Sequence, residues 1–249
     1  MAFAPFCLIV DAFRMTRTLD AAAETDRWAA IEKPAGLLSQ PDATGKPNVF
    51  DLLKRQWATP SDPDPFVGLV HRLDRPTSGV LMVAKTSEAA RALSEQVQAR
   101  TMDKQYVALV EGEMRGAGTM QDAIAKTATG PQIVSPDHPD AKAARLQYQA
   151  LRTDAERTLI HVQLDTGRSH QIRLQCANRG HPVVHDGRYG ASVQVRRPAI
   201  ALHHYGLRFE DPATGRMHSV TAALPDLWSA WMSDAQAEAA QRIIQQFRL

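Results

Sequence analysis

A single aspartate stands among basic side chains in a short polar segment of the chain. Asp74 lies between Arg72 and Arg75. The segment His71–Gly79 that contains them holds a proline and a glycine, which indicate a loop, and Val80–Ala84 follows as an apolar run. A nearby opposite charge keeps a carboxylate ionised, and an ionised carboxylate can act as a nucleophile or a general base. The alternative is a surface ion pair or a turn-capping aspartate.

A second cluster of hydrogen-bond donors lies far along the chain. The segment Gly167–Arg173 brings Arg168, His170 and Arg173 together around a turn, and Ser169 is the predicted N-cap of a helix that begins there. Guanidinium groups and the unpaired N–H groups of a helix start can hold a phosphate or a carboxylate. The alternative is a helix start with solvated basic side chains.

Alternating apolar patterns predict several strands around these two segments, with few helices between them. The predicted strands are Trp28–Ile31, Val67–Val70, Val80–Ala84, Tyr106–Val110, Arg145–Leu151, Thr158–Leu164, Leu202–Phe209 and Met217–Ala222. The predicted helices are Ser87–Arg100, Ser169–Asn178 and a C-terminal one within Asp226–Phe247, whereas Gly116–Ala144 is predicted to form loops around short strands. This order favours an α+β fold, with a mainly antiparallel mixed sheet flanked by helices and loops.

The composition restricts the class of protein more than its function. A chain of 249 residues with 44% hydrophobic content can bury a core, so we expect one large domain. The apolar start Ala2–Val10 is far shorter than the ~20 residues of a membrane span, so no membrane partner is expected. Two cysteines, Cys7 and Cys176, suggest neither a disulfide framework nor a metal site, which favours the cytoplasm. Translation could start at Met1 or Met15.

The two polar segments resemble the signatures of one enzyme family. His71–Gly79 resembles the HRLDxxTSG motif of the RluA family of RNA pseudouridine synthases, and Gly167–Arg173 resembles its GRxHQIR motif. The related RsuA group has GRLD at the first position. Further matches in the family's order are Lys33–Gly36, Lys104–Val110, Gly180–Pro182, Asp186–Gly190 and Leu202–His203, so the resemblance covers roughly Trp28 to Leu224.

The resemblance implies a fold and a division of the chain. We expect the pseudouridine synthase catalytic fold, with an active-site cleft across the sheet. Residues 28–249 would form the catalytic domain, including the C-terminal helix, and residues 1–27 an N-terminal extension that is disordered in part. No S4 domain is expected, because the first catalytic motif begins near residue 28. The chain would work as a monomer without an obligatory protein partner, and without a cofactor or a metal.

The resemblance also implies a reaction and three catalytic residues. A specific uridine in structured RNA, either 23S ribosomal RNA or transfer RNA or both, would be flipped out and isomerised to pseudouridine. Asp74 would be the catalytic carboxylate and Arg173 its ionic partner. Tyr106 would stack on the target base and assist removal of the C5 proton; the alternative for Tyr106 is a tyrosine in the core of a strand.

The remaining candidates are assigned to substrate binding. Arg72 would hold the flipped base out by filling the vacated space, with a phosphate contact as the alternative. Leu202 would line the base pocket. Four further residues are candidates for RNA binding or for fixing loops, namely Lys33, Arg75, Arg168 and His170.

Two other functions stay open. A noncatalytic RNA-binding protein could keep the same scaffold. A nucleoside or glycoside hydrolase could use Asp74, although the motifs offer no clear second carboxylate as its acid.

Three residues depart from the family pattern. Gln175 stands where histidine is usual, His185 where glycine is frequent, and His204 where alanine is usual. These departures bear on substrate choice and local backbone shape.

Overall fold

The computed structural model describes residues 18–154, 156–193 and 198–248. Across these residues, eleven strands form one sheet with the order β1-β2-β4-β10-β5-β9-β8-β6-β7, while β11 pairs with β10 and β3 with β4. The strands are β1 Ala21–Glu24, β2 Trp28–Lys33, β3 Gly68–Leu69, β4 Ser78–Ala84, β5 Asp103–Glu111, β6 Ala117–Thr127, β7 Gly130–Val134, β8 Lys142–Thr153, β9 Arg157–Leu164, β10 Leu202–Glu210 and β11 Met217–Thr221.

All strand pairs are antiparallel except β4 with β10, which run parallel at the centre of the sheet. Four α-helices pack around the sheet: α1 Val49–Trp57, α2 Ser87–Ala99, α3 Gln171–Asn178 and α4 Asp234–Arg248. Single 3-10 turns form at Gly187–Tyr189 and Asp226–Ala230. The prediction of an α+β fold with a mainly antiparallel mixed sheet is therefore confirmed. No helix in the described part of the chain is long and apolar enough to cross a membrane.

The centre of the sheet is buried on both faces. Every residue of β4 is buried, as are most residues of β5 and β10. One apolar cluster includes Leu81, Leu109 and the C-terminal helix residue Ile244, and a second cluster packs Met82 and Phe209 on the opposite face. Strands that are buried on both faces have apolar side chains at successive positions. Their close packing gives the cleft a rigid floor.

The region from residue 116 to residue 144 differs from its prediction. Strand β6 is one long strand that pairs with β8 from Ala117 opposite Gln149 to Ile124 opposite Lys142. Its small and polar residues have low strand propensity, so the pattern within the segment predicts no long strand. Pairing with a neighbour and burial of Met120 and Ile124 decide its conformation. The prediction of loops around short strands was wrong for this segment.

Two further elements were not predicted. Helix α1 begins after Asn48, whose side chain accepts a hydrogen bond of 2.9 Å from the Asp51 N–H group. Strand β1 pairs with β2 at the edge of the sheet, so the sheet begins before the boundary expected at Trp28. Residues 1–17, which make up most of the expected N-terminal extension, lie outside the described residues.

Candidate active site

The two polar segments meet in a cleft of ≈ 850 Å³. One wall is the loop that carries Asp74, and the opposite wall is the turn from Asp165 to Arg173. Tyr106 of β5 and Leu202 of β10 also line the cleft. Residues separated by about a hundred positions in sequence thus share one cavity across the sheet, as expected from the resemblance.

The loop that carries Asp74 is tied to the turn after β2. The Gly36 N–H group donates to the Arg75 carbonyl at 2.7 Å, and the Arg75 Nε donates back to the Gly36 carbonyl at 3.0 Å. The Ser39 hydroxyl donates to the Leu73 carbonyl at 2.9 Å. These bonds flank Asp74 on both sides and fix its backbone.

Lys33 also ties the loop that carries Asp74 to the turn after β2. Its side chain is 1% exposed, and its Nζ donates to the carbonyls of Pro34 (3.0 Å), Leu37 (2.8 Å) and Arg75 (3.3 Å). Burial lowers the pKa of Lys33 to about 7, although the charge of Asp74 opposes the shift. Lys33 is not among the residues that line the cleft. For Lys33 the geometry therefore favours loop fixing over RNA contact, whereas Arg75 fixes the loop through its Nε and also lines the cleft.

Arg173 joins Asp74 to a second aspartate. Its Nη1 donates to Asp74 Oδ2 at 2.9 Å, while its Nε and Nη2 donate to the two oxygens of Asp186 at 2.6 and 2.9 Å. The Arg173 and Asp186 side chains are only 5% and 2% exposed. Burial disfavours the charged guanidinium, but the two carboxylates outweigh burial and raise the pKa of Arg173 above its ordinary value. The side chain thus stays charged and is held by a bidentate pair.

The start of α3 corrects one prediction. The N-cap is His170, with a left-handed φ of 56° and no side-chain cap, so the prediction of Ser169 was wrong. The Gln171 side chain instead accepts hydrogen bonds from the Arg168 N–H group (3.0 Å) and the Thr166 hydroxyl (2.7 Å). This internal bonding takes the place of a side-chain cap, and His170 lines the cleft.

His170 lies beside the catalytic candidate without forming a hydrogen bond to it. Its Nε2 is 3.8 Å from Asp74 Oδ1, and its Nδ1 is 2.7 Å from the Tyr189 hydroxyl. Burial lowers the pKa of His170, and the charge of Asp74 opposes this shift. At 3.8 Å the His170 Nε2 is too far away to donate, so Asp74 Oδ1 has no hydrogen-bond partner among the described residues, and the Asp74 side chain is 25% exposed.

Tyr106 is buried beneath the cleft. Burial, with a smaller contribution from the charge of Asp74, raises the pKa of Tyr106 above its ordinary value, so its hydroxyl stays protonated. Its ring stacks on the His204 ring, with centroids 4.4 Å apart and planes inclined by 20°. Leu202 is also buried and lines the same floor.

Cations at the rim of the cleft lack carboxylate partners. Arg72 and Arg168 are exposed or half-buried and line the cleft, and the Arg168 Nε donates to the Ala143 carbonyl at 3.0 Å. Arg100 and Lys104 line it as well, and burial lowers the pKa of Lys104. None of the four forms a salt bridge with a described carboxylate. The rim therefore presents uncompensated positive charge to a ligand.

Sequence reasoning gave no role to two residues that shape the site. Asp186 lies in a segment that matches the family, and a buried acid in that match was an available signal. His204 was noticed only as a departure from alanine. Of the other departures, His185 adopts a φ of 68°, the left-handed region that glycine favours. The buried Gln175 donates to Asp122 Oδ2 at 2.7 Å, on the side of α3 away from Asp74.

Known proteins are similar over most of the chain. Residues 27–178 match the family RNA pseudouridylate synthase. The chain is 36% identical to ribosomal large subunit pseudouridine synthase D of Nitrosomonas europaea over 82% of this chain and 61% of the relative. An uncharacterized RNA pseudouridine synthase of Chloroflexus aurantiacus is 38% identical over 78% and 62% of the two chains. The chain thus spans about three fifths of the length of these relatives.

A third relative and a solved structure extend the comparison. Ribosomal large subunit pseudouridine synthase D of Xanthomonas campestris is 33% identical over 90% of this chain and 71% of the relative. The structure of human RNA pseudouridylate synthase domain containing 1 has the same fold, with a TM-score of 0.72, 23% identity and coverage of 93% and 95% of the two chains. The motifs around Asp74 and Arg173, the fold that joins them and these matches agree, and the chain belongs to the RNA pseudouridylate synthase family, as the resemblance to its RluA members predicted.

Proposed function

We propose that this chain isomerises a uridine in structured RNA to pseudouridine, with Asp74 as the catalytic carboxylate. The observation that carries the proposal is the asymmetry of the Asp74 carboxylate. Arg173 holds Oδ2 at 2.9 Å, whereas Oδ1 lies at the cleft without a hydrogen-bond partner among the described residues. One oxygen fixes the orientation, and the other is left for the substrate.

The reaction rearranges bonds without a net gain or loss of atoms or electrons. The C1′–N1 bond breaks, the base turns, C5 bonds to C1′, and the proton that leaves C5 is balanced by one that N1 gains. Asp74 can enter either by attack on C1′ or by removal of the C2′ proton. Both routes require an ionised carboxylate, which the Arg173 guanidinium favours.

Asp186 supplies the rigidity that this arrangement needs. A single arginine on a flexible stem would hold Asp74 in several geometries. Because Asp186 takes the Nε and Nη2 of Arg173 in a bidentate pair, the remaining Nη1 points at Asp74 in one fixed direction. The charge and orientation of the nucleophile or base are thus set before RNA binds.

Tyr106 is proposed to stack on the flipped uracil. Its position in the floor of the cleft and its apolar neighbour Leu202 suit a planar base. The raised pKa keeps the phenol protonated at neutral pH, which supports stacking more strongly than removal of the C5 proton.

The rim cations are proposed to bind the RNA backbone. Arg72, Arg100, Lys104 and Arg168 lack carboxylate partners in the described part of the chain, and phosphates are the natural partners of such a set. Flipping a base out of its stack costs a few kcal/mol. Arg72 is exposed and directly precedes the loop residue Leu73, so it can fill the vacated space or bind a phosphate.

The names of the relatives guide the choice of RNA. Two of the similar proteins are large-subunit ribosomal pseudouridine synthases, and we propose large-subunit ribosomal RNA as the substrate, with transfer RNA as the alternative that the experiment tests. We propose that the chain acts as a monomer. The cytoplasm, where such RNA is made in bacteria, is the proposed location.

The test uses ribosomal and transfer RNA from a strain that lacks the gene. Each RNA is incubated with wild type, with Asp74→Asn and with Asp122→Asn, and pseudouridines are mapped by carbodiimide-dependent primer extension. Asp122 is a matched control because it too pairs with an arginine near α3, yet it does not line the cleft. We expect a new stop with wild type and Asp122→Asn, and none with Asp74→Asn.

Other outcomes would favour the rival functions. Release of free uracil would indicate hydrolysis of the glycosidic bond. RNA binding without any modified site in wild type would indicate a noncatalytic binding protein. A stop in transfer RNA alone would retain the reaction and overturn the proposed substrate.

A further inference from the structure

His204 occupies a position behind the active-site tyrosine. In the pairing of β5 with β10, His204 lies directly opposite Tyr106, so the two side chains project from the same face of the sheet. Their rings stack with centroids 4.4 Å apart. His204 is 0% exposed and is not among the residues that line the cleft. It therefore contacts Tyr106 without access to the substrate.

The His204 ring is fixed on several sides. Its Nδ1 donates to the Val80 carbonyl at 2.6 Å. The backbone is held by Gly79, which has a φ of 120° and a position where any Cβ would clash with the His204 carbonyl. The ring of His71 packs edge-on with centroids 5.8 Å apart, and His71 Nε2 accepts a hydrogen bond of 3.0 Å from Met82. These contacts leave His204 little freedom to move.

Tyr106 has no such anchor of its own. Among the described residues, none forms a hydrogen bond with its hydroxyl, which leaves the phenol available to a substrate. The orientation of the ring then depends on packing alone. The nearly parallel ring of His204 supplies a large flat contact for it.

Burial lowers the pKa of His204 to about 3, so the ring is neutral under ordinary conditions. A neutral imidazole that donates through Nδ1 carries no hydrogen on Nε2, and Nε2 meets no partner among the described residues. The ring therefore contributes through its shape and its single bond to Val80, and not as an acid or a base.

We propose that His204 is a positioning residue that holds the Tyr106 ring at the angle needed to stack on the target uracil. The inference rests on the proposed function, since it assigns a support to the tyrosine of that site. Alanine at position 204 would leave the far face of Tyr106 without an aromatic support.

Two substitutions separate the ring from the hydrogen bond. His204→Phe keeps a flat ring behind Tyr106 but loses the bond to Val80, whereas His204→Asn keeps a donor near the place of Nδ1 but loses most of the ring. His204→Ala removes both. His203→Asn is the matched control: His203 is the neighbouring buried histidine of β10, it projects to the opposite face, and its Nδ1 contacts the Ser78 hydroxyl at 2.8 Å.

Each variant is assayed for pseudouridine formation on the RNA that wild type modifies, at a temperature well below its measured Tm. We expect His204→Ala and His204→Asn to lower kcat roughly three- to tenfold, the range that loss of one aromatic pair gives. KM should change little, because phosphate contacts dominate RNA affinity. His204→Phe should restore most of kcat even if its Tm is lower than that of His204→Asn. His203→Asn should lower Tm without lowering kcat.

The ranking of the kcat values among the variants decides whether His204 positions Tyr106. If kcat follows Tm across the three His204 variants, or if His204→Ala matches wild type, the positioning role is overturned while the proposed function stands. If wild type and every His204 variant modify no RNA, the proposed function itself fails. A kcat order of wild type and phenylalanine above asparagine and alanine supports the positioning role.

Discussion

The two ends of helix α3 each carry an arginine paired with an aspartate, and the two pairs differ in what they leave open. After the helix, Arg179 donates to Asp122 Oδ2 at 2.8 Å. Asp122 also accepts Gln175 Nε2 at 2.7 Å and Asn178 Nδ2 at 3.3 Å, so both of its oxygens have partners. Within the first turn, Arg173 bridges two aspartates, and Asp74 keeps one oxygen without a partner among the described residues.

The difference separates a structural pair from the pair that we propose for catalysis. Asp122 connects α3 to strand β6, and both oxygens of its carboxylate already accept hydrogen bonds from residues of or beside α3. Asp74 has the same kind of partner, but its partner is anchored elsewhere by Asp186 and its second oxygen faces the cleft. A group held in place yet incompletely satisfied is what a reactive site requires, and folding alone does not favour it.

Removal of Arg173 should break the comparison most severely. Arg173→Met leaves the buried Asp186 without a counter-ion, and breaking a buried pair costs about 3–5 kcal/mol. We expect a loss of that size in the free energy of unfolding, measured with urea. Pseudouridine formation should fall at least ~10³-fold, because orientation and charge of Asp74 are both lost. Activity within tenfold of wild type in the folded fraction would show that Asp74 acts without this support.

Asp186→Asn should have the next largest effect. The amide keeps the shape but directs N–H groups toward the Arg173 guanidinium, so one of the two bonds becomes repulsive. We expect a loss of ~2–3 kcal/mol in the free energy of unfolding and about a tenfold fall in kcat. Urea unfolding and single-turnover assays measure the two effects. A stability loss with unchanged kcat would mean that Asp186 supports the fold alone.

The pH dependence of stability should also differ between the two regions. Buried histidines lie near the floor of the cleft, whereas the hydrogen-bond partners of Asp122 include no histidine. Burial lowers the pKa of His203 to about 4 and that of His204 to about 3. Both values lie below the unfolded value of about 6.5. The unfolded state therefore binds more protons in this window, so stability is full above about pH 6.5 and falls as the pH drops toward 4.

Each histidine should contribute ~1.4 kcal/mol per pH unit to this fall. His204→Phe should therefore show a shallower fall than wild type when urea unfolding is followed between about pH 6.5 and about pH 4.5. Equal slopes for the two proteins would contradict a buried neutral His204. Asp122→Asn has no histidine among its lost contacts and serves as the control, with the wild-type slope.

Loss of the ion pair between Arg179 and Asp122 should have the smallest effect. Arg179 is 30% exposed, and solvent screens its attraction to Asp122. We expect Asp122→Asn to lower the free energy of unfolding by about 1 kcal/mol and to leave kcat unchanged. Urea unfolding measures the free energy of unfolding, and the primer-extension assay, followed over time, measures kcat. A tenfold fall in kcat would show that the position of β6 matters to the site and would weaken the contrast between the two pairs.

Much of the fold followed from patterns within single segments. The predicted strands Val80–Ala84, Leu202–Phe209 and Met217–Ala222 are apolar or alternating runs, and each formed within two residues of its predicted bounds. Strand β6 and helix α1 were missed. For β6, the residues themselves have little preference for a strand, and the ladder with β8 decides the conformation.

The sequence by itself determined which family the chain resembles and which carboxylate, arginine and tyrosine to examine. It could do so because Asp74, Tyr106 and Arg173 each lie in a segment whose local pattern is distinctive. The tertiary structure decided how they are supported: Asp186 anchors Arg173, and His204 stacks behind Tyr106. Both supports depend on which distant strands and turns become neighbours, and long-range pairing and burial, which no local pattern encodes, set those contacts.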